Sequence, residues 1–414
     1  MYKEHRIIFR TSLFVFSLAL MFCCGVRAES AGSESANRHV KTVDIIDAAY
    51  LPGIDRIFVV GRNGMAGLAE VGDGTLNIQL LDSVTGEDFT VVAQLSEQEA
   101  LIGSSRGRMY HFGPDGIKEV AALSEFDEPV MDIAVTEGKI WAVGARGLIA
   151  TSVDGTQWQA MEITGIKQPP LVIPDSYVGE LYFGIANVNV DTVVFQATVD
   201  GQPLVADEDY EFYADEGFLL LSHALDSGQE SSISFSFEPG PPFRRGDVSW
   251  NTVIVDGDDV IIAGEFGLVL QSGDGGETWV RRQGLVSKVE PQLPYWLTGV
   301  GSGQYILLAG AAGVVSESRD RGETWSSLDR PSKEGVFGVT VSDDGEPIVL
   351  GAVGLVGNYS NGSWAIGDRT QLQLQSWLKT PVKMPDDSLL ALGGRSTVIR
   401  YQSGRWQRVE VSID

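Results

Sequence analysis

Residues 272–279 read Ser-Gly-Asp-Gly-Gly-Glu-Thr-Trp, and residues 318–325 read Ser-Arg-Asp-Arg-Gly-Glu-Thr-Trp. A shorter relative, Ser-Val-Asp-Gly-Thr-Gln-Trp, stands at 152–158. Each copy follows an apolar run such as Leu268-Val-Leu270. The chemistry is that of a hairpin. An apolar strand ends, Ser272, Asp274 and Gly276 turn the chain, and Trp279 opens the return strand. Glycine supplies positive φ in the turn. The Asp carboxylate accepts from turn amides, and Trp covers the hairpin with a large apolar face. The same roles fall to Ser318, Asp320, Gly322 and Trp325, and to Ser152, Asp154 and Trp158.

Outward from these turns the chain repeats in four steps. A strand ends in a Gly/Asp turn. A strongly apolar strand then runs into Gly-x-x-Gly. A third strand enters the Asp/Gly turn, and a fourth returns, usually opened by Trp. Second-step strands recur seven times, at 57–61, 100–103, 140–144, 260–264, 306–310, 347–351 and 389–393. The Asp turn decays toward both ends. Residues 361–364 and 403–406 keep Gly and Trp without Asp, 113–116 keep the turn without Trp, and 72–74 are the weakest copy. A repeat of roughly 40–45 residues with four strands each is the signature of a β-propeller, whose blades stack round an axis because none can bury both faces alone.

One interval breaks the period. Trp279, Trp325, Trp364 and Trp406 follow one another at 46, 39 and 42 positions, but Trp158 to Trp279 spans 121. About 75 residues are therefore inserted, taking the repeat length above. The insert, 166–245, has its own strand signals at 192–199, 209–213, 217–221 and 231–237, with proline at both edges (169–170 and 239–242). The predicted fold is all-β: a seven-bladed β-propeller with a small all-β insert domain, sandwich-like or a stack of hairpins, between blades 3 and 4. Residues 40–165 form blades 1–3 and residues 246–414 form blades 4–7.

The amino terminus reads differently. Lys3, Arg6 and Arg10 precede an apolar stretch at 13–25, and Val26-Arg27-Ala28 places small residues at the −3 and −1 positions. This is a secretory signal peptide, 1–28, cleaved after Ala28, followed by a flexible leader at 29–39. It implies a periplasmic or secreted protein with no membrane insertion after cleavage. The two cysteines, Cys23 and Cys24, lie in that segment. Disulfides and cysteine chemistry are thus excluded from the mature chain, which must be held by its core. The whole chain carries a net charge of −26, and the leading segment is itself net positive. That balance argues against nucleic acid and anionic lipid as partners.

The Ser-x-Asp-x-Gly-x-Thr-Trp turn resembles the Asp-box, or bacterial neuraminidase repeat. The box implies a structural turn lying away from the active sites of that superfamily. Gly-x-x-Gly before the box stands as Val143-Gly-Ala-Arg-Gly-Leu-Ile149 ahead of Ser152, and as Ala263-Gly-Glu-Phe-Gly-Leu-Val269 ahead of Ser272. This combination is similar to the photosystem II stability/assembly factor family of seven-bladed propellers. The likeness spans residues 40–414 apart from the insert. It implies a non-catalytic exported chaperone that holds a membrane-protein subunit during assembly. It also implies an arginine patch on the Gly-x-x-Gly face that receives an acidic or C-terminal carboxylate group. Arg62, Arg106, Arg146 and Arg395 are the candidates, with Phe266 from the blade 4 loop beside them. A guanidinium binds carboxylate bidentately, which suits it to that task.

Other chemistry finds little support. A sialidase needs an arginine trio and a Tyr–Glu pair. Phe243-Arg-Arg245 lacks the surrounding Arg-Ile-Pro motif, and nothing in the sequence orders the tyrosines and glutamates. The acidic runs at 207–209 and 258–259 lack calcium-loop spacing. His5, His39, His111 and His223 are scattered without ligand spacing. No catalytic residue, metal or cofactor is assigned. Trp250, Trp296 and Trp377 fit core packing better than a sugar-binding face. The function read from the sequence is a non-catalytic exported propeller that binds a protein partner as an assembly factor or accessory subunit of a membrane-protein complex. The alternative is an exported glycan-binding protein or sialidase-like glycoside hydrolase.

Overall fold

A computed structural model describes residues 42–163, 166–167, 179–182, 194–213, 218–223, 231–236, 248–282, 286–287 and 294–414, which fall in one compact unit, Lys41–Asp414. The segments read as a signal peptide (1–28) and leader (29–39), both cysteines, His5, His39, the proline edges of the insert and Phe243-Arg-Arg245 lie outside the described residues.

Among the described residues, four-stranded antiparallel meanders occupy 45–80, 89–122, 130–160, 250–281, 296–328, 336–366 and 378–413. They are numbered as blades 1 to 7. The first strand of each blade packs against the first strand of the next, and that of blade 7 packs against that of blade 1. Each pair of neighbours encloses its own apolar cluster. Trp141, Val143, Trp250 and Trp279 fill the interface of blades 3 and 4, and Val59, Leu76, Leu390 and Val409 fill that of blades 1 and 7. Trp250 is fully buried and Trp296 nearly so, whereas Trp377 is half-buried. The core thus lies between blades, where each apolar strand face is covered by its neighbour.

The ring closes at its outer rim. The last strand, Arg405–Ile413, outruns its partner in blade 7 and pairs in parallel with Thr75–Leu80 of blade 1, Glu410 to Thr75 through Ile413 to Ile78. Ser396 of blade 7 donates its N–H to the Val43 carbonyl at 2.7 Å, and its hydroxyl accepts from Val43 N–H at 3.0 Å. The parallel pairing of Arg405–Ile413 with Thr75–Leu80 joins blades 1 and 7 into one eight-stranded sheet.

The Ser/Asp turns share one geometry. Ser272 Oγ accepts from Gly276 N–H at 2.8 Å and lies 2.7 Å from Asp274 Oδ1. Asp274 accepts from Thr278 N–H at 2.8 Å and from its hydroxyl at 2.6 Å, and Trp279 Nε1 donates to the Gly276 carbonyl at 3.1 Å. Asp320 holds Thr324 likewise, and the Trp325 and Trp158 indoles close their own turns at 3.0 Å. The Trp406 indole N–H, in the decayed turn of blade 7, is buried without an acceptor among the described residues. Each of the three Ser/Asp turns also grips the preceding blade: Gly155 abuts Leu101, Gly276 abuts Trp141 and Gly322 abuts Ile261.

Within the insert, Val194–Val199 pairs with Gln202–Pro203 and with Ser231–Ser236, and Phe218–Leu221 pairs with Tyr210–Tyr213 and Gly179–Tyr182. Leu181, Ala197, Tyr210, Leu219, Leu221 and Ile233 form a separate apolar cluster. Two pairings cross the boundaries read from the sequence. Ile166–Lys167 adds a parallel fifth strand to the outer edge of blade 4, and Val286–Ser287, beyond blade 4, pairs with Gly179–Tyr182 of the insert. Both segments are too short to carry a periodic signal, so only the pairing reveals them.

Candidate partner-binding face

The Gly-x-x-Gly loops lie at the opposite ends of the strands from the Ser/Asp turns. Their two glycines serve different needs. A methyl at Gly264 would stand 1.9 Å from the Ser249 carbonyl oxygen, so the first glycine lets the second strand approach the segment entering the blade. Gly267 has φ +66, which ends the turn in the left-handed region. Before the second glycine, whose place Ser396 takes in blade 7 with φ 52, one residue is lifted into solvent with left-handed backbone. It is Asn63 in blade 1, Arg146 in blade 3, Phe266 in blade 4, Ala312 in blade 5, Val353 in blade 6 and Arg395 in blade 7, all with φ between 53 and 55. Blade 2 builds its loop differently, with Arg106 exposed between Ser105 and Gly107.

Arg106, Arg146 and Arg395 are therefore exposed at corresponding points of three loops. No described carboxylate pairs with the guanidinium of Arg106 or Arg395. Arg146 Nε lies 4.0 Å from Oε1 of Glu128, a buried residue whose Oε2 accepts from the Ser124 hydroxyl. Arg146, Glu128, Phe126, Leu148 and Met161 line a cleft of about 250 Å³. Arg62 stands apart from these three. It occupies the position before Asn63, is half-buried, and turns back to Asp44 at 3.5 Å. Phe266 is 55% exposed.

A second ring of residues escaped sequence reading. Every first strand carries a β-bulge opposite the end of its second strand, at Ile46, Thr90, Met131, Asn251, Leu297, Phe337 and Lys379. A bulge re-aims one side chain out of the pleat. Lys379 shows the direction: its ammonium donates to the Thr90 carbonyl at 3.1 Å, which reaches past blade 1 to blade 2. A bulge shifts the alternation of these short strands by one residue, and only the pairing register shows which residue is the extra one.

One Tyr–Glu pair stands on this face. Tyr295 donates its hydroxyl to Glu265 Oε1 at 2.7 Å, while Glu265 Oε2 accepts from Ser249 N–H at 2.9 Å. Burial first, and then the bond to the carboxylate, raise the Tyr295 pKa well above its ordinary value. That disfavours the phenolate a nucleophile requires, and no exposed arginine occupies the loop apex of blades 4, 5 or 6.

The family model described as "Photosynthesis system II assembly factor YCF48" matches residues 199–373, from within the insert to the connection between blades 6 and 7. This chain resembles that family. Among solved structures, one titled "YCF48 bound to D1 peptide" superposes with a TM-score of 0.54 at 13% identity, covering 87% of this chain and 92% of its own. YCF48 from Cyanidioschyzon merolae matches at TM-score 0.54 and 12% identity over 88% and 96% of the two chains. The WD40 propeller domain of Doa1 fits equally well, at 0.54 and 11% identity over 88% and 95%. At such identities the superpositions establish a propeller-like fold, and the likeness to YCF48 in particular rests on the family model. No curated protein matches the chain.

Proposed function

We propose that this chain is an exported, non-catalytic propeller that binds a protein partner through its Gly-x-x-Gly face, as an assembly factor or accessory subunit of a membrane-protein complex. The observation that carries the reading is the placement of Arg106, Arg146 and Arg395. A chain of net charge −26 sets three exposed arginines at corresponding loops of one face. Such an arc in an otherwise acidic protein favours an anionic group on the partner. The match to the YCF48 family model supports a protein as that partner, as does the D1 peptide named with one solved YCF48 structure. The insert leaves blade 3 beyond Trp158–Ala160, whose far end lies by the Gly-x-x-Gly loop. In this reading the small all-β domain of residues 166–245 serves as a lid or second contact surface over the arginine arc.

The test is capture of membrane-protein subunits by the exported chain. Substituting Arg106→Glu and Arg146→Glu together should abolish capture of the subunit that the unaltered protein retains. Unchanged capture would remove the arginine arc from the function. Turnover of a fluorogenic sialoside would instead support the glycoside hydrolase reading, for which the described residues offer Tyr–Glu pairs such as Tyr295–Glu265 and Tyr305–Glu317. Amino-terminal sequencing of the exported protein checks cleavage after Ala28.

A further inference from the structure

Blade order divides the Gly-x-x-Gly face in two. Blades 7, 1, 2 and 3 present Arg395, Asn63, Arg106 and Arg146, and blades 4, 5 and 6 present Phe266, Ala312 and Val353. The inner ring does not share this division, since Ile46 and Met131 stand at blades 1 and 3 and Asn251 at blade 4, but at blades 5 and 6 the half-buried Leu297 and Phe337 add apolar surface beside the loops. Phe266 and Val353 are each 55% exposed. The loop apices of blades 4, 5 and 6 are thus all apolar, with Arg146 on the blade before them and Arg395 on the blade after.

The loop's own stability does not account for these residues. Left-handed backbone suits Asn or Gly and is strained for aromatic and β-branched side chains. Asn63 shows that Asn fills the position with the same backbone, φ 53 against 54 at Val353. Exposing Phe and Val there adds loss of apolar burial to backbone strain. Strain of this kind concentrates where a side chain is held out for a ligand.

We infer that blades 4, 5 and 6 form an apolar docking arc that selects large aliphatic or aromatic side chains in the partner segment whose carboxylate meets the arginines. The occupant is an extended, apolar peptide bearing a terminal or side-chain carboxylate. Charge complementarity fixes the position of its anionic group, and the adjoining apolar arc fixes the character of the residues beside it. The inference rests on the partner-binding reading above and adds the partner's sequence character to it.

The experiment is fluorescence anisotropy with a labelled octapeptide carrying leucine at alternate positions and a free C-terminal carboxylate. Two controls are its C-terminal amide and a version with every leucine replaced by serine. The full chain should bind the leucine carboxylate peptide at least tenfold more tightly than either control, about 1.4 kcal/mol. In the double variant Phe266→Asn, Val353→Asn the preference for leucine over serine should vanish while the preference for carboxylate over amide persists. Asn is tolerated by the backbone at both positions, so loss of folding does not obscure the result. Retention of the leucine preference in that variant overturns the apolar arc. Separately, a carboxylate preference that survives Arg106→Glu, Arg146→Glu and Arg395→Glu together overturns the partner-binding reading. Failure of the unaltered chain to bind any of the three peptides at about 1 mM, the weak end of specific recognition, overturns both.

Discussion

The carboxylate of Asp132, on blade 3, accepts the backbone N–H of Val253, on blade 4, at 2.9 Å, although 121 positions separate them. The same oxygen accepts the Thr252 hydroxyl at 3.0 Å, and the other accepts Ile133 N–H at 2.9 Å. Asp47 plays the corresponding part in blade 1, accepting Val92 N–H of blade 2 and the Thr380 hydroxyl of blade 7. These bonds tie neighbouring inner strands together, and the insert does not interrupt the series.

Asp132 keeps a little accessible surface, yet the atoms crowded round its carboxylate, assisted by the charge of Asp47, push its pKa up to about 6. A carboxyl whose folded pKa is raised binds its proton more tightly in the folded state. Its contribution to stability therefore falls as pH rises from 3.8 to about 6. Denaturant titration across that window should show this slope, and Asp132→Asn should flatten it. The variant should also lose about 1–3 kcal/mol, because its amide N–H₂ faces donors that need an acceptor. An unaltered slope would assign the titration to another group.

Asp154, Asp274 and Asp320 act in the opposite sense. Each is held at about 2. Amide bonds from Gln157 and Thr156 lower Asp154, and the Thr278 hydroxyl and amide lower Asp274. At Asp320 partial burial is the largest influence and opposes the shift, but the combined bonds of Thr324 and Ser318 outweigh it. Stability from these groups is present above 3.8 and is lost as pH falls through about 2. Asp274→Ala should lower the melting temperature at neutral pH and converge with the parent in strong acid. Equal differences at both pH values would show that the turn does not depend on the ionised carboxylate.

The outer-rim closure predicts a specific failure. Deleting residues 410–414 exposes the edge of Thr75–Leu80, which then lacks its parallel partner. Unpaired edges recruit other strands. The shortened chain should unfold at lower denaturant and form concentration-dependent oligomers, measurable by light scattering. A monomer of unchanged stability would mean that the inner contacts of blades 1 and 7 suffice.

Val353→Asn should stabilise the chain by about 1 kcal/mol by relieving left-handed strain at a β-branched residue. The same change should weaken partner binding, so calorimetry and binding should move in opposite senses, as they do where function retains a strained site.

Gly264→Ala should cost about 3 kcal/mol or prevent folding, since the methyl meets the Ser249 carbonyl, a backbone atom with little freedom to move. Gly303→Ala is the informative contrast. Its position is open, but its φ of +58 still strains an L-residue, so a smaller loss is expected.

The sequence alone determined the repeat. The Ser/Asp turn, the paired glycines and the four apolar steps act over a few residues each, so their chemistry survives reading in one dimension. The exposed arginines at 106, 146 and 395 were legible for the same reason, as fixed positions in a local turn. Tertiary structure decided what depends on register and on summed twist around the ring. Pairing of Glu410 with Thr75, the link from Asp132 to Val253, the bulges that aim Lys379 toward blade 2, and the return of Arg62 to Asp44 all follow from which strand edges come together. So does the division of one face into basic and apolar arcs, because residues as far apart as Asn63 and Arg395 become neighbours only once the last strand has closed the ring.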